Sequence, residues 1–183
     1  YAGGATCGLW RSDDKGLNWL PLLDTELLIN EVYSLEIDFT NPDIVYFSSG
    51  DNLYRTIDGG QSYELLHELG FIKDIIMSPN STDTIFICSN LGLFRLTSTD
   101  SSIEELLSGD ILELEFHPTN SSVIYTTRQS YNKTEFLKSI NFGLTFELFD
   151  NGWPNPGPND EQLRTEISVS ADRPDQVVAL TTG

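Results

Sequence analysis

The sequence predicts an all-β fold, a β-propeller of four-stranded antiparallel blades, on three observations. One phrase recurs, opened by Arg11, Arg55, Arg95 and Lys138 at intervals of 44, 40 and 43 residues. A second landmark, an apolar run followed by a proline-containing turn and another apolar run, recurs with a similar period, which indicates a repeat architecture. Finally, no segment carries a convincing helical apolar stripe, although residues 25–36 (TELLINEVYSLE) come closest.

Each repeat divides into four predicted strands. In the second repeat the first strand alternates, with Tyr33, Leu35, Ile37 and Phe39 on one side and polar residues on the other. A turn built from Asn, Pro, Asp and Ser follows. The second strand is rich in β-branched and aromatic residues, and the third and fourth flank the repeated phrase. In this repeat the last three strands read DIVYF (43–47), NLYRT (52–56) and SYELLH (62–67).

Four strands in about 40–45 residues are typical of a propeller blade, and one blade cannot bury both of its faces, so neighbouring blades must stack. The chain holds about four blades' worth of sequence. We divide it into a half blade with the repeated phrase (1–30), a blade (31–70), a blade with a degenerate phrase (71–109), a blade followed by a Pro/Gly-rich loop at 150–162 (110–163) and the first half of another blade (164–183).

Both ends of the chain match the second strand of a blade. We therefore expect the chain to be part of a larger propeller. The competing arrangement is a closed four-bladed ring in which Tyr1–Gly4 and Val177–Gly183 share one blade.

The charge of the chain excludes some partners. It has 28 acidic and 10 basic residues, a net charge of −18, which argues against nucleic acid and against anionic membrane surfaces. No apolar stretch of about 18 residues is present, so the sequence predicts no membrane insertion. Two cysteines, Cys7 and Cys88, are too few for a disulfide scaffold and lie in no metal-binding motif.

The repeated phrase is predicted to be the hairpin turn between the third and fourth strands. In the second repeat Thr56 and Asp58 are placed to accept hydrogen bonds from turn N–H groups, Gly60 supplies a positive φ, and Tyr63 packs over the turn. The equivalent residues are Ser12, Asp14, Gly16 and Trp19 in the first repeat, and Ser139, Asn141, Gly143 and Phe146 in the fourth. We call these three segments (11–20, 55–64 and 138–147) the box hairpins.

This pattern, Ser/Thr-x-Asp-x-Gly-x-Thr/Ser-Trp, resembles the Asp-box, or bacterial neuraminidase repeat. Similar repeats occur in sialidases, xyloglucanase-type glycosidases, sortilin-type receptors and a photosystem assembly factor. The fuller phrase looks most like secreted propeller proteins of Bacteroidetes, which are often cargo of type IX secretion. The resemblance implies a propeller fold, a secreted or cell-surface location, and a structural rather than catalytic role for the box on outer hairpins.

This sequence departs from the Asp-box pattern in three places. The third copy (96–103, LTSTDSSI) lacks the glycine, the fourth has Asn141 and Phe146 in place of Asp and Trp, and the first has Asn18 where Thr or Ser is usual.

One set of carboxylates is ordered by the repeats. Alignment of Phe39, Met77 and Phe116 places Glu36, Asp74 and Glu113 at the same position in the first strands, and the last copy has Ser168 at that position. First strands line the central channel of a propeller, so three readings remain: solvated channel charges, oxygen ligands of a cation such as Ca²⁺, or a catalytic pair. Apart from this possible Ca²⁺, we predict no cofactor.

No catalytic residue is predicted. A sialidase-like site needs an arginine cluster and a Tyr/Glu pair, whereas Arg11, Arg55 and Arg95 recur at equivalent positions, which indicates a repeat-wide structural role such as pairing with an acidic neighbour. Trp153, in the Pro/Gly-rich loop, either packs over a blade edge or stacks on a sugar or a partner.

Together these observations predict a secreted or cell-surface propeller module that binds or scaffolds a protein or a glycan. Its partners are such a ligand or the remaining blades of a larger exported protein. The alternative is a fragment of an Asp-box glycoside hydrolase, sialidase- or xyloglucanase-like, whose catalytic residues lie largely outside this piece. A sortilin-like sorting receptor or an assembly factor is a third possibility.

Overall fold

The computed structural model describes residues 1–4, 6–22, 31–154 and 164–182, and within these ranges every regular element is a β-strand. Blade 1 contains β1 (Ala2–Gly4), β2 (Gly8–Arg11) and β3 (Leu20–Pro21). Blade 2 contains β4 (Leu35–Ile37), β5 (Val45–Ser49), β6 (Asn52–Thr56) and β7 (Glu64–Glu68). Blade 3 contains β8 (Ile72–Ser78), β9 (Ser81–Ser89), β10 (Gly92–Thr97) and β11 (Ser102–Ser108). Blade 4 contains β12 (Asp110–Phe116), β13 (Ile124–Ser130), β14 (Lys133–Ser139) and β15 (Glu147–Leu148), and blade 5 contains β16 (Arg164–Ser170) and β17 (Arg173–Thr182).

The strand order confirms the predicted fold class. Blades 2, 3 and 4 are four-stranded antiparallel sheets whose strands follow the chain order. The first strands β4, β8, β12 and β16 pack against one another in sequence, as in a propeller. Strands β1 and β17 belong to different sheets. Of the loop predicted at 150–162, residues 155–162 lie outside the described ranges, as do residues 25–30 of the segment that most resembled a helix.

Apolar contacts between neighbouring sheets hold the blades together. The second strand of a blade has a strand on each side and a blade over each face, so its side chains are the most buried: Val45 and Phe47 in β5, and Ile85 and Ile87 in β9, are 0% exposed. Burial of each such side chain stabilises the fold by about 1.5–3 kcal/mol. Because the sheet is apolar on both faces, an isolated blade would expose the core side chains of both.

The alternation predicted for the first strand of blade 2 ends earlier than expected. Strand β4 stops at Ile37, Phe39 is 62% exposed, and Asp38 is buried at 7%. The Asp38 carboxylate accepts hydrogen bonds from the backbone N–H of Thr40 and Asn41, at 2.7 and 3.0 Å. This turn bends the chain away from the sheet before Phe39 can reach the core.

The box hairpins share one hydrogen-bond pattern. In the second repeat Asp58 Oδ1 accepts from the backbone N–H of Gln61 and Ser62, each at 2.9 Å, and Thr56 Oγ1 accepts from Gly60 N–H at 2.9 Å. Gly60 has a φ of 94°, which a side chain would strain. The equivalent hydroxyl-to-glycine bonds are Ser12–Gly16 at 2.7 Å and Ser139–Gly143 at 2.9 Å, and the equivalent aromatic residues are Trp19 and Phe146.

The third hairpin replaces the box with a tight turn. Thr97 pairs with Ser102, and Ser101 takes a φ of 54° between them. At the position of Thr56, one residue after the repeated arginine, this blade has Leu96, which is fully buried. The shorter turn has no box glycine, so no hydroxyl is needed at its base and an apolar side chain fits there.

The repeated arginines join neighbouring blades, which confirms the structural role predicted for them. Each pairs with a carboxylate of its own blade and donates to a backbone carbonyl in the next hairpin. The carboxylate contacts are Arg11–Asp13 at 3.0 Å, Arg55–Glu64 at 2.6 Å and Arg95–Glu104 at 2.5 Å. The carbonyl contacts are Arg11–Gly59 at 2.7 Å, Arg55–Ser98 at 3.0 Å and Arg95–Phe142 at 3.2 Å.

We expect Thr56→Val to lower the free energy of unfolding by about 1–3 kcal/mol, because the isosteric side chain leaves the buried Gly60 N–H without an acceptor. Urea unfolding followed by tryptophan fluorescence measures this change. Thr97→Val, at the end of β10 outside any box, is the matched control and should change stability by less than about 0.5 kcal/mol. Equal effects of the two variants would contradict a structural role for the box hydroxyl.

Candidate functional site

The strand register corrects the predicted alignment of the first-strand carboxylates. The pairs across the first two strands are Glu36–Tyr46, Ile76–Phe86, Glu115–Tyr125, Asp74–Cys88 and Glu113–Thr127. The aromatic residues in the first three pairs each face the repeated basic residue of the third strand. Glu36 therefore corresponds to Glu115, two residues beyond the shared position of Asp74 and Glu113. The error arose because Phe39, the chosen anchor, lies beyond the end of β4.

The fourth member of the set is also shifted by two residues. The backbone N–H of Ile75 in blade 3 donates to Ser34 Oγ of blade 2 at 3.0 Å, and that of Ile167 in blade 5 donates to Glu113 Oε2 of blade 4 at 2.5 Å. These equivalent bonds place Glu166, rather than Ser168, in line with Asp74 and Glu113. Because a shift of two keeps a side chain on the same side of its strand, all of these residues still share one side of the first strands.

These polar side chains connect the inner edges of neighbouring blades. The first strand of a blade is an edge strand, and its outward N–H groups need acceptors. Glu36 Oε1 accepts from Met77 N–H at 3.1 Å, and Glu113 and Ser34 accept from the next blade as described. Asp74 Oδ1 accepts from Ser34 Oγ at 3.3 Å and from Ile75 N–H at 2.9 Å. Each predicted carboxylate therefore holds backbone or side-chain donors at a blade junction.

Burial raises the pKa of this set of carboxyl groups. It raises the pKa of Glu113 to about 7 and that of Asp74 to about 6, with smaller contributions from neighbouring carboxylates that oppose a further negative charge. It also raises the pKa of Glu36 and of Glu115 above the ordinary value. Near neutral pH Glu113 is therefore only partly ionised, and Asp74 becomes so slightly below it.

The positions of these residues bear on two of the predicted readings, a Ca²⁺ site and a catalytic pair. Among the described residues, no group of three or more His, Cys, Asp or Glu side chains is close enough to hold a metal ion, so the Ca²⁺ reading gains no support there. A glycosidase needs two carboxyl groups facing each other across the scissile bond. Glu36 and Glu113 instead direct an oxygen at the backbone of the next blade.

Trp153 covers part of the face of blade 4. Its indole N–H donates to Thr134 O at 2.8 Å, and its ring stacks on Phe136 with centroids 5.3 Å apart. Phe136 occupies the register of Leu53 and Leu93, both fully buried by the next blade. Trp153 therefore packs over a blade, the first of its two predicted roles.

A small cavity is lined in part by Trp153. Its volume is about 150 Å³, and it is lined by Lys133, Thr134, Glu135, Leu148, Asp150, Trp153 and Pro154. It brings an indole ring together with a cationic and two anionic side chains at the protein surface. An aromatic face beside polar groups is the usual composition of a small ligand site. The sequence singled out Trp153 alone; Asp150 is three positions from it, whereas Lys133, Thr134 and Glu135 are 18 to 20 positions away, and none of them carries a motif.

Two further findings concern the cysteines and the prediction of no membrane insertion. Both cysteines are free thiols, Cys7 exposed and Cys88 buried. In the part of the chain that the structure describes, no helix is long and apolar enough to cross a membrane.

Ser34 and Glu166 are the site residues that sequence analysis missed. The signal that would have found Ser34 is the aromatic residue of the second strand, Tyr46, Phe86 and Tyr125, whereas blade 5 has Val178 at that position and gives no such signal for Glu166. Alignment on those three residues gives the observed register, whereas alignment on the first strand does not.

No protein-family model matches the sequence, and no curated protein matches it. Among solved structures, the chain is similar to the extracellular domain of a one-component system from B. thetaiotaomicron, with a TM-score of 0.69 and 15% identity over 97% of this chain and 24% of that one. A GH74 enzyme from Niastella koreensis has a TM-score of 0.67 and 16% identity, covering 80% of this chain and 27% of that one. The GH74 xyloglucanase from Xanthomonas campestris has a TM-score of 0.65 and 15% identity, covering 80% and 27%.

At such low identity these likenesses show the fold and nothing more. The chain has the fold of part of a β-propeller, and it spans about a quarter of the length of the similar structures.

We expect the chain to become less stable as the pH rises from about 5 to 8. Asp74 and Glu113 have raised pKa values of about 6 and about 7, so the folded state binds more protons than the unfolded state in this window. Stability therefore falls as the pH passes through these values. Glu113→Gln keeps an acceptor for Ile167 N–H, removes the titration, and should flatten the dependence of the urea midpoint on pH.

Glu105→Gln is the matched control for this experiment. It also removes one negative charge, but from an exposed position on β11. If both variants flattened the pH dependence equally, the cause would be the net charge of the chain and not the blade junction.

Proposed function

We propose that this chain is a propeller module of a secreted or cell-surface protein and that it binds a protein or glycan ligand without transforming it. The observation that carries the proposal is the use of the inner carboxylates: Glu36 and Glu113 accept backbone N–H groups of the next blade, which leaves them as structural groups. The similarity to an extracellular domain of a one-component system supports the location.

The cavity beside Trp153 is the ligand site that we propose. Trp153 is held rigidly, since its N–H is bound to Thr134 O and one ring face is stacked on Phe136. A fixed aromatic ring can pack against the apolar face of a sugar or an aromatic side chain at little cost in conformational entropy. Lys133 and Asp150, which line the same cavity, supply a donor and an acceptor for hydroxyl or peptide groups.

A glycoside hydrolase fragment is the second candidate. The likeness to two GH74 enzymes, each over 80% of this chain, favours it. On this reading the chain is one part of a larger propeller and contributes a face of the substrate cleft, while the reacting carboxylates belong to other blades. Both candidates share the larger propeller that we propose as the setting of this chain.

The test combines binding with hydrolysis. The purified chain is titrated with xyloglucan oligosaccharides, sialyllactose and other glycans by calorimetry, and each mixture is assayed for released reducing ends. We expect saturable binding to at least one glycan with no release. Asp150→Ala should weaken that binding by about tenfold, the effect of about 1.4 kcal/mol.

Asp43→Ala is the control for the glycan titration, because Asp43 lies in blade 2, away from the cavity. Release of reducing ends by the chain would favour the hydrolase instead. If no glycan binds, we infer that the ligand is a protein. The same two variants then distinguish binding of that protein at the cavity from unspecific binding. Binding that Asp43→Ala and Asp150→Ala weaken equally would contradict the proposed site.

A further inference from the structure

Two side chains are repeated at every junction where one blade meets the next box hairpin or turn. The first is the basic residue of the third strand, whose contacts with the next hairpin are described above. The second is an apolar residue that lies two positions after the cross-strand partner of the basic residue. It is Leu22 in blade 1, Leu66 in blade 2 and Leu106 in blade 3. We call each such basic and apolar residue a junction pair.

The apolar member packs against the next box glycine. A Cβ atom built on Gly60 would lie 2.7 Å from Leu22 Cδ1, and one built on Gly143 would lie 2.9 Å from Leu106 Cδ1. Both distances are shorter than real Cβ contacts, so a side chain at either glycine would displace the leucine, in addition to the strain of the positive φ. The box glycine is therefore part of a blade junction, which the hairpin taken alone does not reveal.

Blade 4 carries the same pair, and the Lys138 ammonium group lies over the Tyr125 ring of its own blade, 5.5 Å from the ring centroid. Lys138 holds the position of Arg55 and Arg95, and Phe149 holds that of Leu106. Phe149 is 46% exposed and borders a shallow depression together with Lys138. Among the described residues, no hairpin covers this junction pair.

Blade 5 has an open edge on the same side of blade 4. Within the described ranges β17 has β16 as its one hydrogen-bonded neighbour. Its Val178 and Leu180 are 62% and 65% exposed, whereas Phe86 and Cys88, at the equivalent places in β9, are fully buried. A long apolar edge of this kind accepts a further strand.

We propose that the edge of β17, together with Lys138 and Phe149, is a docking surface for one β-hairpin of the box type. The first strand of that hairpin pairs with β17, its turn glycine packs against Phe149, and a carbonyl of its turn accepts a hydrogen bond from the Lys138 ammonium group. The surface is separate from the cavity beside Trp153, so it does not depend on the ligand proposed there.

The occupant is deduced from the other junctions of the chain. At the junctions of blade 1 with blade 2 and of blade 3 with blade 4, a box hairpin meets both members of the junction pair and continues an antiparallel sheet. A second copy of this chain fits less well, since the inner edge of its β2 is already paired with β1.

The test adds the hairpin as a separate peptide. A fluorescein-labelled peptide of residues 52–68, the box hairpin of blade 2, is titrated with the full 183-residue chain and followed by anisotropy. We expect saturable binding that Phe149→Ser and Leu180→Lys each weaken about tenfold or more. The control peptide is residues 92–108, the hairpin of blade 3 without a box glycine, and it should bind at least about tenfold more weakly.

Cross-linking tests the register independently of affinity. Phe86 of β9 pairs with Arg95, and Tyr46 of β5 pairs with Arg55, so the proposal predicts that Val178 faces the basic residue of the peptide. In a Cys7→Ser background, Val178→Cys should form a disulfide with a peptide carrying Arg55→Cys in a glutathione buffer. The peptide carrying Tyr54→Cys is the matched control and should react much less.

A control variant and three contrary results complete the test of the docking surface. Tyr131→Ser, at a loop tip that is 99% exposed, should bind the peptide as the unaltered chain does. The proposal is overturned by the absence of binding to a chain shown to be folded by circular dichroism, by equal cross-linking of both cysteine peptides, or by dimerisation that Leu180→Lys abolishes. Glycan binding that persists in such a case would leave the proposed function intact.

Discussion

The inner edge of each blade is the constraint on which the rest of the structure depends. A first strand has a ladder partner on one side alone, and its other N–H groups must find acceptors or remain unsatisfied. Here the preceding blade supplies them from the side chains of Ser34, Glu36 and Glu113. The apolar faces therefore stack in the one relative position of neighbouring blades that lets these hydrogen bonds form.

The outer side of each junction obeys a second constraint. A box hairpin orders its own turn through Asp58 or its equivalent, and it also presents a glycine and a carbonyl to the previous blade. The arginine and leucine of that blade contact both. The same short motif therefore has one role within its blade and another between blades, and substitution of the glycine disturbs both.

These two constraints limit what the central carboxylates can do. A carboxyl group that accepts a backbone N–H from another blade has a position set by folding, and burial raises the pKa of Glu113 enough to leave it partly protonated near neutral pH. Such groups couple the stability of the blade stack to pH. The recognition site that we propose, the cavity lined by Trp153 and its polar neighbours, does not include these carboxyl groups.

The sequence by itself determined the features whose causes lie within a few residues. The period of the repeats, the four strands of a blade, and the Thr56–Asp58–Gly60 turn follow from local hydrogen bonds and from alternation. The structural role of the repeated arginines also followed, because equivalence by repetition needs no coordinates. The predicted register of Glu36 and Ser168 was wrong by two residues, since a period of two cannot detect an even slip.

Tertiary structure alone decided which blade each side chain serves. Ser34 is an ordinary strand serine in the sequence, and it becomes an acceptor because β8 lies beside it. Leu22 and Phe149 are equivalent residues, yet one is packed on a glycine and the other is 46% exposed. The difference lies in the presence or absence of a neighbouring hairpin among the described residues. Contacts between elements that are distant in the chain depend on how the sheets stack, and local sequence patterns do not encode that stacking.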